Sequence, residues 1–78
     1  MDSRPQHSPR YKKMCRHLKS WREDAGLTQR ELAKKLEQSQ SYVYKSENAF
    51  RRMDPIEFIA WTRACGVDPE TAIKCIKQ

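Results

Sequence analysis

The chain has 78 residues, of which 37% are hydrophobic and 33% charged, and its net charge is +6 at pH 7. This length corresponds to one domain, and no apolar run approaches the roughly 20 residues needed to cross a bilayer, which excludes a membrane protein. The N-terminus is basic but has no apolar core, so we expect no secretory signal and a cytoplasmic location.

The positive charge is concentrated at the start of the chain. Residues 1–22 carry seven basic groups and one acid, whereas residues 23–78 carry nine of each sign. Clustered positive charge favours a polyanionic partner, most simply nucleic acid. A basic face that serves only solubility is the alternative.

Residues 1–8 are polar and contain proline, so we predict a flexible basic arm followed by one domain over residues 9–78. The arm could reach a DNA minor groove through Arg4, or it could be a tail without function. Ser8 and Pro9 are the N-cap and first residue of a predicted helix that runs to Ala25 and ends before Gly26. Its apolar residues form one stripe: Tyr11, Met14, Leu18, Trp21 and Ala25.

Residues 28–47 predict two short helices joined by a tight turn, a helix-turn-helix. Thr28 and Glu31 have the spacing of a capping box that starts a helix over residues 29–36. Ser39 can cap a second helix over residues 40–47, with Val43 facing inward and mostly polar or aromatic residues elsewhere. Asn48 can adopt the left-handed conformation that stops this helix.

The remainder of the chain predicts two more helices and hence an all-α fold. Asp54 and Glu57 form a second capping box, and the helix over residues 55–65 has four core positions, Phe58, Trp61, Thr62 and Cys65. A last helix runs from Pro69 to about Lys77. Because so short a helix is not stable alone in water, it must dock on the domain. Its Ile73 and Ile76 are candidates for a homodimer surface.

The motif resembles the phage repressor/Cro-type, xenobiotic-response-element-like family of helix-turn-helix DNA-binding proteins. The resemblance rests on three segments: Leu27-Thr28-Gln29-Arg30-Glu31-Leu32-Ala33, Ser39-Gln40-Ser41-Tyr42-Val43 and Cys65-Gly66-Val67-Asp68-Pro69. It implies a compact five-helix repressor-like domain that binds double-stranded DNA, probes the major groove with residues 40–47 and pairs as a homodimer. Glu37 departs from the family's usual turn glycine, and Ser46 departs from its usual branched apolar residue.

Under this interpretation, the exposed start and next turn of the second motif helix read base edges. The candidates are Gln40, Ser41, Tyr44 and Lys45. A glutamine amide can pair bidentately with adenine. The resemblance and the charge also indicate phosphate-binding candidates: Gln29, Arg10, Tyr42, Arg51 and Arg52. For Tyr42, packing and phosphate contact are equally open, and Phe50 could pack under its loop or lie at a dimer contact.

Other functional classes find little support in the sequence. No motif places a histidine beside a nucleophile, and there is no glycine-rich phosphate loop, so we expect no enzyme and no cofactor. Three cysteines without a CxxC pair, together with His7 and His17, lack the spacing of a zinc site, so we expect no metal. The size of the chain implies no small-molecule effector. The alternatives are a protein–protein interaction module on the same fold, or a partner-dependent regulator such as an antitoxin or restriction–modification controller.

Overall fold

The computed structural model describes residues 8–77, and every regular element in that part of the chain is an α-helix. The helices are α1 (Pro9–Asp24), α2 (Gln29–Leu36), α3 (Gln40–Glu47), α4 (Pro55–Ala64) and α5 (Pro69–Lys77). The predicted all-α, five-helix fold is confirmed. Apart from Ser8, the predicted arm, with Arg4 and His7, lies outside the described residues.

Local hydrogen bonds explain where the helices begin. The Thr28 hydroxyl accepts from the Glu31 amide at 3.1 Å, and the Glu31 carboxylate accepts from the Thr28 amide at 2.8 Å. Asp54 and Glu57 make the equivalent pair of bonds at 2.7 and 2.9 Å. The Ser8 hydroxyl caps α1. Each such cap contributes about 1 kcal/mol, so the predicted starts of the helices are confirmed and have a local cause.

Left-handed residues follow α1, α2 and α4. Gly26 and Gly66 have φ of 74° and 75°, as the sequence predicts. Glu37, which caps α2, has φ of 54°. The Cβ atom of a non-glycine residue crowds the following carbonyl in this conformation, at a cost of about 1–2 kcal/mol. The motif turn therefore carries backbone strain at the position where the family usually has glycine.

We expect Glu37→Gly to raise the free energy of unfolding by about 1 kcal/mol, because glycine adopts positive φ without the Cβ clash. For a domain of this size the unfolding temperature should rise by roughly 4–8 °C, measured by circular dichroism. Glu37→Ala is the matched control, since it removes the carboxylate but keeps the Cβ atom. If the unfolding temperature rose equally in both variants, the gain would come from loss of the negative charge and not from relief of backbone strain.

The end of α3 differs from the expected arrangement. Asn48 was predicted to be left-handed, but its φ is −105°, and the left-handed residue is Ala49, with φ of 60°. The Asn48 side-chain amide donates to the Tyr44 carbonyl at 2.8 Å, so Asn48 caps the helix with its side chain. The Phe50 amide then donates back to the Lys45 carbonyl at 2.9 Å, the bond that defines a Schellman end. The chain therefore turns one residue later than predicted.

The core gathers residues from all five helices around Trp61, which is fully buried. The Trp61 indole N–H donates to the Leu18 carbonyl at 3.1 Å, so its one polar group is satisfied inside the fold. The predicted inward positions of α4, including Cys65 at its end, are all buried. The core cluster comprises Leu18, Leu32, Ala33, Val43, Phe58, Trp61, Cys65 and Ala72.

The predicted apolar stripe of α1 is only partly right. Leu18 is fully buried, but Ala25 lies beyond the end of the helix and is exposed. Trp21 is half-buried at the edge of the core, with its ring 6.0 Å from that of Phe58. The residues buried most deeply with Leu18 are Cys15 and Arg22. The buried face of α1 is therefore rotated from the predicted one, toward α3.

Helix α5 docks on the core through one face. Ala72 is fully buried and Ile76 packs against the core, whereas Ile73 is 49% exposed beside a groove that Met14 and Phe58 also line. The expected docking of this short helix is confirmed. Pairing of two copies through its isoleucine edge stays a prediction. Within residues 8–77, no helix combines the length and apolar character needed to cross a bilayer.

Candidate nucleic-acid interface

One face of α3 is polar and open to solvent. Val43 and Ser46 lie on its inner side and are 0% and 1% exposed. The Ser46 hydroxyl donates to the Tyr42 carbonyl at 2.7 Å, so its burial leaves no unpaired polar group. The outer side carries the four predicted base-reading residues, all of them exposed: Gln40, Ser41, Tyr44 and Lys45.

Gln40, at the start of α3, is held by two residues from the start of α2. The Arg30 guanidinium donates to the Gln40 side-chain oxygen at 3.2 Å. The Gln40 amide nitrogen donates to the Gln29 side-chain oxygen at 3.5 Å. Gln29 in turn donates to Glu47 at 3.2 Å. The structure thus brings predicted phosphate-binding and base-reading residues together in one hydrogen-bonded chain.

The inner end of this chain is a buried ion pair between α1 and α3. Arg22 and Glu47 are 8% and 7% exposed. The guanidinium donates twice to the carboxylate, at 2.5 and 3.1 Å, and once to the Leu27 carbonyl at 2.8 Å. The hydrogen bond to Glu47 raises the pKa of Arg22 and outweighs the burial that lowers it. Arg22 therefore stays charged inside the fold and fixes the end of α3.

Tyr42 packs inside the motif. Its ring lies 6.4 Å from that of Trp61, and the Arg51 guanidinium stacks over it, 4.5 Å from its centroid. Burial, followed by the neighbouring Glu57 carboxylate, raises the pKa of Tyr42 to about 12. Of the two roles left open for this residue, packing is the one the structure displays. Phosphate contact by its hydroxyl stays a prediction.

The two arginines of the loop after α3 have different environments. Arg51 donates to the Glu57 carboxylate at 2.9 Å and to the Ser46 hydroxyl at 3.5 Å, so an acid already compensates its charge. Burial alone would raise the pKa of Glu57, but the Asp54 amide and the Tyr42 and Arg51 side chains lower it. Arg52 is exposed. It is the loop arginine better placed to meet a phosphate.

Arg10 is exposed at the start of α1. The neighbouring Tyr11 hydroxyl donates to the Arg51 carbonyl at 3.0 Å, which ties this end of α1 to the loop after α3. Arg10 also borders the groove between α1 and α5, beside Ile76. The structure therefore places Arg10 beside α5, and its predicted phosphate contact remains untested.

Comparison with known proteins identifies the family. The family model described as "Helix-turn-helix domain" matches residues 14–72, most of the chain. The chain belongs to this helix-turn-helix family. A solved structure, "XRE-family like protein from Pseudomonas syringae pv. tomato str. DC3000", is 42% identical, with a TM-score of 0.85 over 91% of this chain and 87% of that one. No curated protein sequence matches the chain.

This helix-turn-helix family is one of DNA-binding regulators, which agrees with the predicted resemblance and with the general function inferred from it. The matched region contains the whole of α2 and α3 and most of α1, so the exposed face of α3 lies within it. The family assignment covers the fold and the general function. It does not assign a role to any individual side chain.

An aromatic pair borders the exposed polar face of α3, called the reading face here after its predicted base-reading residues. The rings of Tyr44 and Phe50 lie 6.1 Å apart, and Phe50 is 64% exposed. A hydrophobic contact between these two positions is common at a Schellman helix end. Phe50 therefore packs neither under its loop nor in the core, but on the surface against Tyr44 of α3.

The main feature that sequence reasoning missed is the Arg22–Glu47 pair. Arg22 was counted with the basic surface of α1, yet it lies four residues after the buried Leu18 and hence on the same helical face. That spacing, read together with an acid at the end of α3, is the signal that could have found the pair. Two of the charges nearest the motif are thus structural.

The cysteines and histidines give no indication of a metal centre in the described part of the chain. Cys15 and Cys65 are buried, and burial raises the pKa of both thiols, to about 11 for Cys65. Within residues 8–77, no three histidine, cysteine, aspartate or glutamate side chains are grouped so that they could hold an ion. His17 stacks on Trp21, with 5.4 Å between the rings.

Proposed function

We propose that this chain is a small transcriptional regulator of the repressor type that binds double-stranded DNA sequence-specifically in the cytoplasm, with α3 in the major groove. The exposed polar face of α3 is the observation that carries the proposal. An α-helix fits this groove, where donor and acceptor patterns distinguish all four base pairs. Residues near the start of such a helix contact the base edges.

Gln40 is the leading base-reading residue in this proposal. Its amide offers one donor and one acceptor, the combination that pairs bidentately with adenine. The contacts with Gln29 and Arg30 restrict its orientation before DNA arrives, so less conformational entropy is lost on binding. Ser41, Tyr44 and Lys45 extend the contact surface, with Lys45 able to reach guanine or a phosphate.

The phosphate contacts come from elements around α3. Gln29 stands at the first turn of α2, where free backbone N–H groups favour an anion. Arg52 supplies an exposed charge on the loop. Arg51 and Tyr42 support that loop by stacking on each other. Either side chain could contact a phosphate only through the part of it that is exposed and faces the DNA backbone.

We further propose that two copies pair through α5. Ile73 and Ile76 line the grooves on this side of the domain, and Ile73 is half exposed. Ile73 borders two grooves, one lined also by Arg10 and Lys77 and the other by Arg63, Asp68 and Glu70, so the patch around it carries charges of both signs. In a two-fold dimer the same patch meets itself, so opposite charges within it can pair between copies.

Selection of bound sites from random duplex DNA with the purified chain tests the proposal. We expect a two-fold symmetric consensus whose half-sites are about 34 Å, or 10–10.5 base pairs, apart. An asymmetric consensus would support DNA reading and contradict the dimer. No enrichment over the starting pool, at low ionic strength, would overturn the proposed function itself.

A further inference from the structure

Helix α1 carries an exposed basic ridge outside the motif. Lys12, Arg16 and Lys19 are all exposed, and their spacing of four and three residues places them on one helical face. Among residues 8–77, none of the three forms an ion pair. We call these three residues the α1 ridge. No role in the fold accounts for them.

The contacts of α1 locate the ridge. Tyr11 bonds to residue 51, the Cys15 side chain lies against the backbone of residue 49, and Arg22 pairs with residue 47. Helix α1 therefore runs antiparallel to the segment 47–51 and beside it. On its opposite flank, Met14 and Trp21 face α4 and α5.

Helical geometry then fixes which side the ridge faces. The ridge residues directly follow positions 11, 15 and 18, and each residue advances the helix by 100°. The α1 ridge therefore lies on the flank turned away from Met14 and Trp21. That flank borders the segment 47–51. Phe50 extends from the other side of this segment to Tyr44 on the reading face. The α1 ridge, the loop and the reading face are consequently neighbours on one surface.

The charge of this surface is of one sign over most of its area. In the segment 40–52 the one acid is Glu47, which is buried and paired with Arg22. Glu23, one turn beyond Lys19, is the acid at the far end of the ridge. The ridge, together with Lys45 and Arg52, thus presents five exposed cations along the side of the domain that includes the reading helix.

We propose that the α1 ridge binds backbone phosphates of the duplex next to the stretch read by α3. This inference rests on the proposed DNA-binding function and extends its contact surface beyond the motif. Lysine and arginine at such positions release counterions from the DNA and add affinity that does not depend on base sequence. The ridge therefore increases affinity and association rate and leaves the choice of site to α3.

The test compares two triple variants of the full chain by fluorescence anisotropy over a range of salt concentrations, on a selected site and on a random duplex. The ridge variant is Lys12→Gln/Arg16→Gln/Lys19→Gln. The control, Lys34→Gln/Lys35→Gln/Lys74→Gln, removes the same charge from exposed positions on α2 and α5 that do not line the grooves beside Ile73 described above. All six positions are exposed, and thermal melting of both variants verifies that each remains folded.

For the ridge variant we expect the slope of log K against log salt to become shallower by about 2 to 3 per bound chain, and by about twice that for a dimer, because each phosphate contact contributes about 0.9. The affinity for both DNAs should fall at least about tenfold, and the selected consensus should not change. The control should alter the slope by less than about 1. Three results would each contradict phosphate binding by the α1 ridge: equal changes in the two variants, an unchanged slope in the ridge variant, or a changed consensus.

These outcomes separate the ridge from the function on which it rests. If the wild-type chain selects a consensus while the ridge and control variants behave alike, the proposed function stands and the proposal that the α1 ridge binds phosphates is wrong. If the wild-type chain binds no duplex at low salt, both are wrong. A ridge variant that keeps its site preference while losing affinity for all DNA supports both.

Discussion

Replacing Arg22 with methionine should lower the free energy of unfolding by about 3–5 kcal/mol, the cost of removing one partner from a buried ion pair. Glu47 would be left at 7% exposure without its ion-pair partner, with the Gln29 amide as its remaining side-chain donor. Since small domains are stable by only about 5–15 kcal/mol, this change should remove much of the total.

Urea denaturation followed by circular dichroism measures the effect. The double variant Arg22→Met/Glu47→Leu is the control, because an apolar pair of similar volume often replaces a buried ion pair without loss. It should recover most of the stability. Arg22→Lys keeps the charge but cannot bind both carboxylate oxygens in the same fork geometry. Its free energy of unfolding should lie between those of Arg22→Met and the wild-type chain. A loss below about 1 kcal/mol in Arg22→Met would contradict the structural role of the pair.

Replacing Gln40 with alanine should weaken binding to the selected DNA site by about 1–3 kcal/mol, or roughly 5- to 150-fold, and leave binding to random duplex nearly unchanged. The reason is that a base-edge contact contributes only where its base is present, whereas phosphate contacts are the same on every sequence. The fold should not suffer, since Gln40 is exposed and, within residues 8–77, its side chain bonds only to Gln29 and Arg30.

Titrations of both DNAs at one salt concentration measure this difference. Gln38→Ala is the matched control, because Gln38 is an exposed glutamine in the motif turn, just before α3. It should bind both DNAs like the wild-type chain. Gln29→Ala should lose less site preference than Gln40→Ala, since it removes one of the bonds that orient Gln40. It should also weaken binding to both DNAs, because its proposed phosphate contact is the same on every sequence. If Gln40→Ala lost affinity equally for both DNAs, Gln40 would not be a base-reading residue.

The sequence predicted the elements whose causes are local. The starts of α2 and α4 depend on a capping residue and a glutamate three positions later, so the pattern and the structure coincide. The end of α3 at Glu47 was predicted correctly, but the left-handed residue after it was placed one position early. There the Asn48 side chain donates to the Tyr44 carbonyl and the Phe50 amide to the Lys45 carbonyl, so the position of the left-handed residue depends on several bonds at once and not on the propensity of Asn48 alone.

Features that depend on tertiary pairing were not predicted. Arg22 and Arg51 counted as surface charge in the sequence, but each has an acidic partner from another part of the chain, Glu47 and Glu57 respectively. Composition cannot distinguish a paired cation from a solvated one. The exposed polar positions of α3 were predicted, because helical period and the position of Val43 fix which side faces outward. Their individual DNA contacts remain predictions.

The division of α3 into a buried and an exposed side has an evolutionary consequence. The side chains that hold the helix in place, led by Val43 and Glu47, are different from those that meet solvent, such as Ser41 and Lys45. Under the proposed function, mutations at the solvent positions change target preference with little thermodynamic cost to the protein. Descendants of this scaffold can diverge rapidly in the operators they recognise while their architecture stays the same.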